Sequence, residues 1–179
     1  LLNWMAIAEG QEKMSRILEL MGRMFRIGLS HGESFITIDE ELTHVACYLE
    51  IQQIRWEDGL EYEVQASQEV RNLFIPKMTL QPFVENSIIH GFNARQSGRI
   101  QIKAEEAGGR VRMTIIDDGS GLAPESKGSH RRKGGYGIRN VRERFSAYFN
   151  ENYEIHVKDG EFEGVVVTII FPRLEEAQT

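Results

Sequence analysis

The stretch LQPFVENSIIHG, residues 80–91, decides the fold of this chain. Positions at helical spacing, Phe83 and Ser87 among them, lie on one face, which predicts a helix with one buried side. Asparagine is unfavourable inside a helix, because its side-chain amide prefers turns and caps. Glu85 and Asn86 therefore either face solvent or have a chemical role. Considered alone, the segment favours the solvent-exposed interpretation.

Two further motifs lie downstream and change that balance. The apolar run at 111–116 predicts a strand that ends in DDGSG, residues 117–121. GGYG, residues 134–137, opens directly into a helical pattern that continues to Phe149. Short glycine motifs match by chance, but three segments in this order and spacing are a much more specific signal.

Together these segments resemble the nucleotide-binding domain of the GHKL superfamily, which includes sensor histidine kinases, type II topoisomerases, the large heat-shock chaperone and mismatch-repair ATPases. Residues 85–91 and 137–144 are most similar to sensor histidine kinases of the LytS/YesM type. The resemblance covers nearly the whole chain. It implies an enzyme with ATP and Mg²⁺ as cofactors, which transfers the γ-phosphate to a histidine and onward to a response regulator receiver domain.

Length and composition limit the class of protein. The chain has 179 residues, 41% of them hydrophobic, a net charge of −6 and one cysteine. It can bury one good core, but it has no basic field for nucleic acid and no internal disulfide. No apolar run approaches the ~18–20 residues of a membrane span. The chain begins inside a helical pattern, so we expect a piece of a longer protein, and the resemblance implies the cytoplasmic part of a bacterial membrane protein.

The order of predicted elements indicates an α+β fold. Residues 1–58 are expected to form a helical hairpin, which the resemblance identifies as the back part of a dimerisation and phosphoacceptor region. Residues 59–179 are expected to form the ATP-binding catalytic domain. This domain is predicted as a two-layer α/β sandwich of the GHKL (Bergerat) type, with a mixed, largely antiparallel sheet.

The prediction of a helical hairpin rests on the periodicity of apolar residues. One helix is predicted from Trp4 to Phe25, and a second after the capping-box pair Thr37 and Glu40. The apolar stripe packs either on its own domain or, as the resemblance implies, in a four-helix homodimer. Further along, we expect Pro76 near the start of the Asn86 helix.

The resemblance also implies which residues bind metal and base. Asn86 matches the metal ligand, since Mg²⁺ takes oxygen ligands and a single amide can serve beside the phosphates. Glu85 is the candidate for holding a ligand water, with a solvated helix surface as the alternative. Asp117 would accept a hydrogen bond from the exocyclic amine of adenine, while Gly119 and Gly121 let the backbone pass close to the ring.

The phosphates of ATP require amide donors and cations. The helix start after GGYG supplies the amides, and a lid at 123–134, expected to be mobile without nucleotide, supplies the cations. His90 and Asn140 have structural alternatives, as a helix end and a local cap. One of Arg131, Arg132 and Lys133 is expected to reach the terminal phosphate, and the alternative for the others is a solvated charge. The residues assigned to nucleotide contacts here are His90, Arg131, Arg132, Lys133, Gly135, Tyr136, Gly137, Ile138 and Asn140.

Three features depart from the family pattern. Ile89 stands where many relatives have a basic residue, which puts more weight on the lid cations. Gly164-Val165 stands where Gly-Thr is usual, so the contribution of that loop to the adenine site is open. Pro82 occupies the position of the water-activating Glu of autonomous GHKL ATPases, which disfavours hydrolysis.

The phosphoacceptor is not evident among the five histidines. His44 is the only one on a long predicted helix. In the resembled family the acceptor belongs to a Pro-His-Phe motif just ahead of a segment like Leu1-Leu2-Asn3, so we expect it upstream of this sequence. Two alternatives remain: an autonomous GHKL ATPase, and an interaction module that keeps a nucleotide-binding fold without catalysis.

Overall fold

Helices form the N-terminal part of the protein, in a computed structural model that describes residues 2–57, 59–92, 95, 97–122, 136–161 and 163–177. Helix α1 spans Leu2–Ala8, α2 spans Glu12–Leu29 and α3 spans Ile38–Arg55. A single 3₁₀ turn, Ser30–Gly32, follows α2.

The prediction of one helix from Trp4 to Phe25 is wrong, because the chain turns between α1 and α2. Gly10 adopts φ 69°, a left-handed conformation that ends helices and that glycine reaches without strain. Helix α1 then lies against α2, and the Ser15 hydroxyl donates to the Asn3 side-chain oxygen at 2.7 Å. The apolar spacing continues through the turn, so periodicity alone did not reveal it.

The predicted hairpin of α2 and α3 is present. Helix α3 begins with the predicted capping box: the Glu40 N–H donates to the Thr37 hydroxyl at 3.2 Å, and the Thr37 N–H donates to the Glu40 carboxylate at 2.8 Å. The Arg16 guanidinium on α2 holds the Glu50 carboxylate on α3 with two hydrogen bonds of 2.6 and 2.9 Å. This bidentate geometry fixes the two helices side by side.

A five-stranded sheet forms the second layer. Its strands are β2 Leu60–Ala66, β4 Gly98–Ala107, β5 Arg110–Asp117, β6 Glu154–Asp159 and β7 Val165–Pro172. They lie in the order β2-β4-β5-β7-β6. Strand β2 pairs with β4 in parallel, and the remaining neighbours are antiparallel, as predicted for a mixed, largely antiparallel sheet.

Pro76 lies in a separate two-stranded sheet, so the prediction that it stands near the start of the Asn86 helix is wrong. Strand β1, Phe35–Thr37, pairs antiparallel with β3, Phe74–Pro76. Pro76 is therefore the last residue of a strand, where a missing N–H is tolerated. Helix α4 begins five residues later, at Gln81, and Pro82 occupies its first turn.

The core lies between the sheet and the helices α3, α4 (Gln81–Asn86) and α5 (Tyr136–Phe149). Phe145 packs on Phe171 of β7 with ring centroids 5.7 Å apart, and burying one such side chain contributes about 1.5–3 kcal/mol. Leu42 and Val45 of α3 belong to the same apolar cluster as Val84 of α4, so the core is continuous across residue 58. Within the described ranges, no helix combines the length and the apolar character that crossing a bilayer requires.

Candidate functional site

Asp117, the last residue of β5, lies at the centre of the site. Its side chain is 5% exposed. One carboxylate oxygen, Oδ1, accepts from the N–H groups of Gly119 at 2.9 Å and Val165 at 3.1 Å. The other, Oδ2, accepts from the Ser87 hydroxyl at 2.5 Å. These three donors compensate the burial of the carboxylate and fix its orientation.

Close backbone approaches around Asp117 require glycine. A Cβ on Gly119 would lie 2.7 Å from the Gly91 Cα, and the Ser120 N–H donates to the Gly91 carbonyl at 3.1 Å. The DDGSG turn is thus joined to the end of the helix that carries Asn86.

The loop with Gly164 and Val165, where the family usually has Gly-Thr, contacts Asp117 through its backbone. Gly164 adopts φ 79°, and a Cβ there would lie 1.8 Å from the Asp117 carbonyl oxygen. The loop between β6 and β7 closes through a 2.9 Å bond from the Gly160 N–H to the Gly164 carbonyl. The loop therefore reaches Asp117 through the Val165 backbone N–H, and this contact needs no hydroxyl side chain at position 165.

A cavity of about 440 Å³ opens beside Asp117, a size typical of small-molecule sites. Val157, Val165 and Val167 give it an apolar wall, and Asp117 and Ser87 are buried polar residues in it. The predicted residues that line it are Asn86, His90, Asp117, Gly121 and Ile138, and unpredicted ones include Ser87, Leu122 and Arg142.

Asn86, the last residue of α4, is half-buried and lines this cavity. The helix continues as a π turn, Ser87–Gly91, in which the Phe92 N–H donates to the Ser87 carbonyl at 3.1 Å. Within the described residues, no group of three His, Cys, Asp or Glu side chains could hold a metal ion. The assignment of the Asn86 amide oxygen as the Mg²⁺ ligand stays a prediction.

Glu85 is not among the residues that line the cavity. Its carboxylate accepts from the Gln81 side-chain amide at 2.9 Å, one turn back on α4. The nearby Tyr48 hydroxyl on α3 has a raised pKa, mainly from burial and further from the negative charge of Glu85. Glu85 thus faces α3, and its predicted contact with a ligand water stays a prediction.

The start of α5 packs against the start of α4. A Cβ on Gly137 would lie 2.9 Å from the Pro82 Cβ, so glycine permits this approach. Asn140 lines a separate groove with Pro82, and Tyr136 is 80% exposed, with the Arg139 guanidinium 5.1 Å from its ring centre. The lid at 123–134 lies outside the described residues, with its predicted cations Arg131, Arg132 and Lys133. Two glycines of the GGYG motif, Gly134 and Gly135, lie outside them as well.

His44 on α3 is buried, with 3% of its surface exposed. Burial lowers the pKa of its imidazole, opposed by a contact with Gln81. Its Nδ1 has no hydrogen-bond partner among the described residues. A side chain buried to this extent cannot react with a molecule that arrives from solvent.

Comparisons with known proteins agree with this geometry. The family described as histidine kinase matches residues 1–60, and the family described as histidine kinase-, DNA gyrase B-, and HSP90-like ATPase matches residues 75–175. Sensor histidine kinase YesM of Bacillus subtilis is 33% identical over 175 residues, which are 96% of this chain and 30% of YesM. The chain thus spans less than a third of that relative's length.

Solved structures show the same fold. The histidine kinase domain of a blue-light activated kinase from Erythrobacter litoralis superimposes with a TM-score of 0.58 at 20% identity, covering 92% of this chain and 81% of that domain. Histidine kinase ThkA, in complex with response regulator protein TrrA, gives 0.55 at 16% identity and covers 96% of this chain and 53% of that one. The chain therefore belongs to the family of histidine kinase-, DNA gyrase B- and HSP90-like ATPases, and it is similar in sequence to the sensor histidine kinase YesM.

Proposed function

We propose that this chain binds Mg-ATP and donates the γ-phosphate to a histidine, from which a response regulator receiver domain takes it. The observation that carries the proposal is the buried Asp117 carboxylate, held by three donors in the wall of a cavity that Asn86 also lines. A carboxylate fixed in this way is a specific acceptor, because three of its roughly four lone-pair sites are occupied and the remaining site has a fixed direction.

Asp117 gives the base selectivity. Adenine presents an amine that donates to the carboxylate, while guanine presents a carbonyl oxygen at the equivalent position, and this oxygen and the buried carboxylate would repel each other. The apolar wall of Val157 and Val167 suits the face of a purine ring.

Asn86 would hold the metal through its amide oxygen. When bound, Mg²⁺ neutralises the charge that develops on the phosphates during transfer. The amide does not contact the base, so its loss affects metal-dependent binding and transfer and leaves metal-free nucleotide affinity largely intact.

We place the acceptor histidine outside this sequence. His44 is buried, and His156 lies on an outer strand, 3.2 Å from Glu154 on the same strand. Hydrolysis is also disfavoured, since Pro82 packs toward Gly137 at the position where an ATPase base is expected and offers no proton acceptor.

A homodimer through the N-terminal helices is part of the proposal. Along α1 and α2 an apolar stripe remains solvent-exposed in the single chain, and its members are between 40% and 71% exposed. Separate apolar side chains on a surface are ordinary, but the members on α2 recur at intervals of seven or four residues, which puts them on one face and indicates a partner helix. The stripe consists of Ile7, Met14, Met21, Phe25 and Leu29.

The response regulator and the location complete the proposal. ThkA was solved with a response regulator, and we propose a receiver domain as the partner of this kinase as well. We place this part in the cytoplasm, attached to a membrane-embedded sensor. The buried free thiol of Cys47 is compatible with a reducing compartment.

Titrations with ATP and GTP, with and without Mg²⁺, test the proposal. Asp117→Asn is expected to lose most ATP affinity in both conditions, and Asn86→Ala only the Mg²⁺-dependent part. Asp118→Asn is the matched control, because that neighbouring carboxylate is exposed and accepts from the Arg99 N–H at 2.8 Å. Unchanged ATP binding by Asp117→Asn would refute the base site, and steady phosphate release by the parent chain would support the autonomous ATPase instead.

A further inference from the structure

Residues 77–80 form a short connection that leads from β3 directly into the helix with Asn86. Met78 adopts φ 58°, a left-handed conformation that is unusual for a side chain of this size. Leu80 stands at the N-cap of α4 and has no hydrogen-bonding side chain to cap the helix. The backbone N–H groups here therefore need acceptors from elsewhere in the fold.

Glu41 of α3 supplies them. Its side chain is fully buried, and its two carboxylate oxygens accept from the Leu80 N–H at 2.7 Å and the Met78 N–H at 2.9 Å. Among the described residues, no Lys, Arg or His side chain forms an ion pair with Glu41. A buried carboxylate is costly without strong donors, so this one is dedicated to the backbone before α4.

Arg144 of α5 holds the same connection from the opposite side. Its guanidinium donates to the Met78 carbonyl at 2.9 Å and to the Lys77 carbonyl. The N–H groups of Met78 and Leu80 are thus bound to α3, and the carbonyl groups of residues 77 and 78 are bound to α5. We call this arrangement, Glu41 with residues 77–80 and Arg144, the 77–80 clamp.

We propose that Glu41 is a positioning residue for phosphoryl transfer, which sets the place of Asn86 relative to the helical hairpin through the 77–80 clamp. A helix rises about 1.5 Å per residue, so Asn86 lies about 9 Å from Leu80 along one rigid element. A displacement of α3 is therefore transmitted to Asn86 without an intervening flexible joint. This inference rests on the proposed function of the Asn86 site.

The base site lies outside the clamp. Asp117 is held by Ser87, Gly119 and Val165, and none of these touches Glu41 through a hydrogen bond in the described structure. Ser87 follows Asn86 on the same helix, but Asp117 keeps its donors Gly119 and Val165, which lie on other elements. Loosening the clamp is therefore expected to weaken adenine binding much less than it slows transfer through the misplaced metal ligand. A purely structural role would instead weaken folding, nucleotide binding and transfer together.

The test is Glu41→Gln in the full-length kinase, with self-labelling from γ-labelled ATP and nucleotide affinity measured separately. Glutamine keeps the shape but turns an amide group toward one of the two N–H donors. We expect the labelling rate at saturating ATP to fall by about 10- to 100-fold, as small misplacements in transfer sites do, while the ATP Kd changes by less than about threefold. Glu50→Gln is the control, because it removes a carboxylate of α3 that binds Arg16 and leaves the clamp intact.

Arg144→Lys provides an independent perturbation, since lysine keeps the charge but cannot bind two carbonyls in the same fork. The same division between rate and affinity is expected. Parallel losses of labelling and ATP affinity, an unchanged labelling rate, or failure of both variants to fold would each overturn the positioning role. A parent kinase that binds no ATP or never labels itself would instead refute the proposed function.

Discussion

Replacing Ser87 by alanine tests the base site through a residue that touches no phosphate in our proposal. The Ser87 hydroxyl donates to Asp117 Oδ2 at 2.5 Å, and both side chains are nine-tenths buried, at 6% and 5% exposure. A hydrogen bond to a charged group contributes about 1.5–3 kcal/mol, and every 1.4 kcal/mol corresponds to about a tenfold change in affinity. Asp117 keeps its bonds from Gly119 and Val165, so we expect the lower end, an ATP Kd raised about tenfold.

Calorimetric titrations with ATP, ADP and adenosine distinguish contacts to the adenine base from contacts to the phosphates and the metal. Because the hydroxyl acts on the adenine acceptor, Ser87→Ala should weaken all three ligands by a similar factor, with or without Mg²⁺. Ser146→Ala on the exposed face of α5 is the matched control. An ATP Kd within about twofold of the parent value would show that Asp117 does not depend on Ser87. A loss confined to Mg-ATP, with adenosine unaffected, would place the hydroxyl at the metal end and refute the reasoning.

Three further outcomes are expected. Burial raises the pKa of Glu41 from 4.5 to about 7, so the folded state keeps a proton that the unfolded chain has lost; the stabilisation is complete below pH 4.5 and is lost toward pH 7. The free energy of unfolding, from urea titrations, should fall by roughly 3 kcal/mol over that range, and Glu41→Gln should lack this decrease. Gly164→Ala should abolish ATP binding through its clash with Asp117, whereas Gly108→Ala, at φ 61° with open space around it, should cost only about 1–2 kcal/mol of stability in thermal unfolding. Phe25→Asp should convert a homodimer into monomers in analytical ultracentrifugation, and a monomeric parent chain would contradict the proposed interface.

Local patterns predicted much of the fold. The alternation of 111–116 identifies β5 and puts Asp117 at its end, because side chains alternate between faces of a strand regardless of what lies beyond. Thr37 and Glu40 predicted the start of α3, because a capping box closes within one helical turn and needs no distant residue. The turn at Gly10 was missed because the apolar spacing on both sides is compatible with one helix.

Contacts across long sequence separations could not be predicted in the same way. Ser87 is 30 residues from Asp117, and Val165 is 48 residues away and acts through a backbone N–H that any residue but proline could supply. A hydroxyl on the predicted buried face was the only signal for Ser87, since buried hydroxyls need partners. Glu41 resembles an ordinary acidic residue in the first turns of α3, and its burial depends on a connection 39 residues further on.

The π turn at Ser87–Gly91 makes this segment sensitive to changes in length rather than in composition. Its hydrogen bond spans one residue more than that of an α-helix, so the turn accommodates an extra residue between Asn86 and the end of the helix. Deleting one residue there would restore the regular spiral and rotate the following chain by about 100°. Gly91 would then leave Gly119 and the Ser120 N–H. Substitutions at the exposed Ile89 therefore leave the turn intact, while insertions and deletions in the same five residues separate the Asn86 helix from the DDGSG turn.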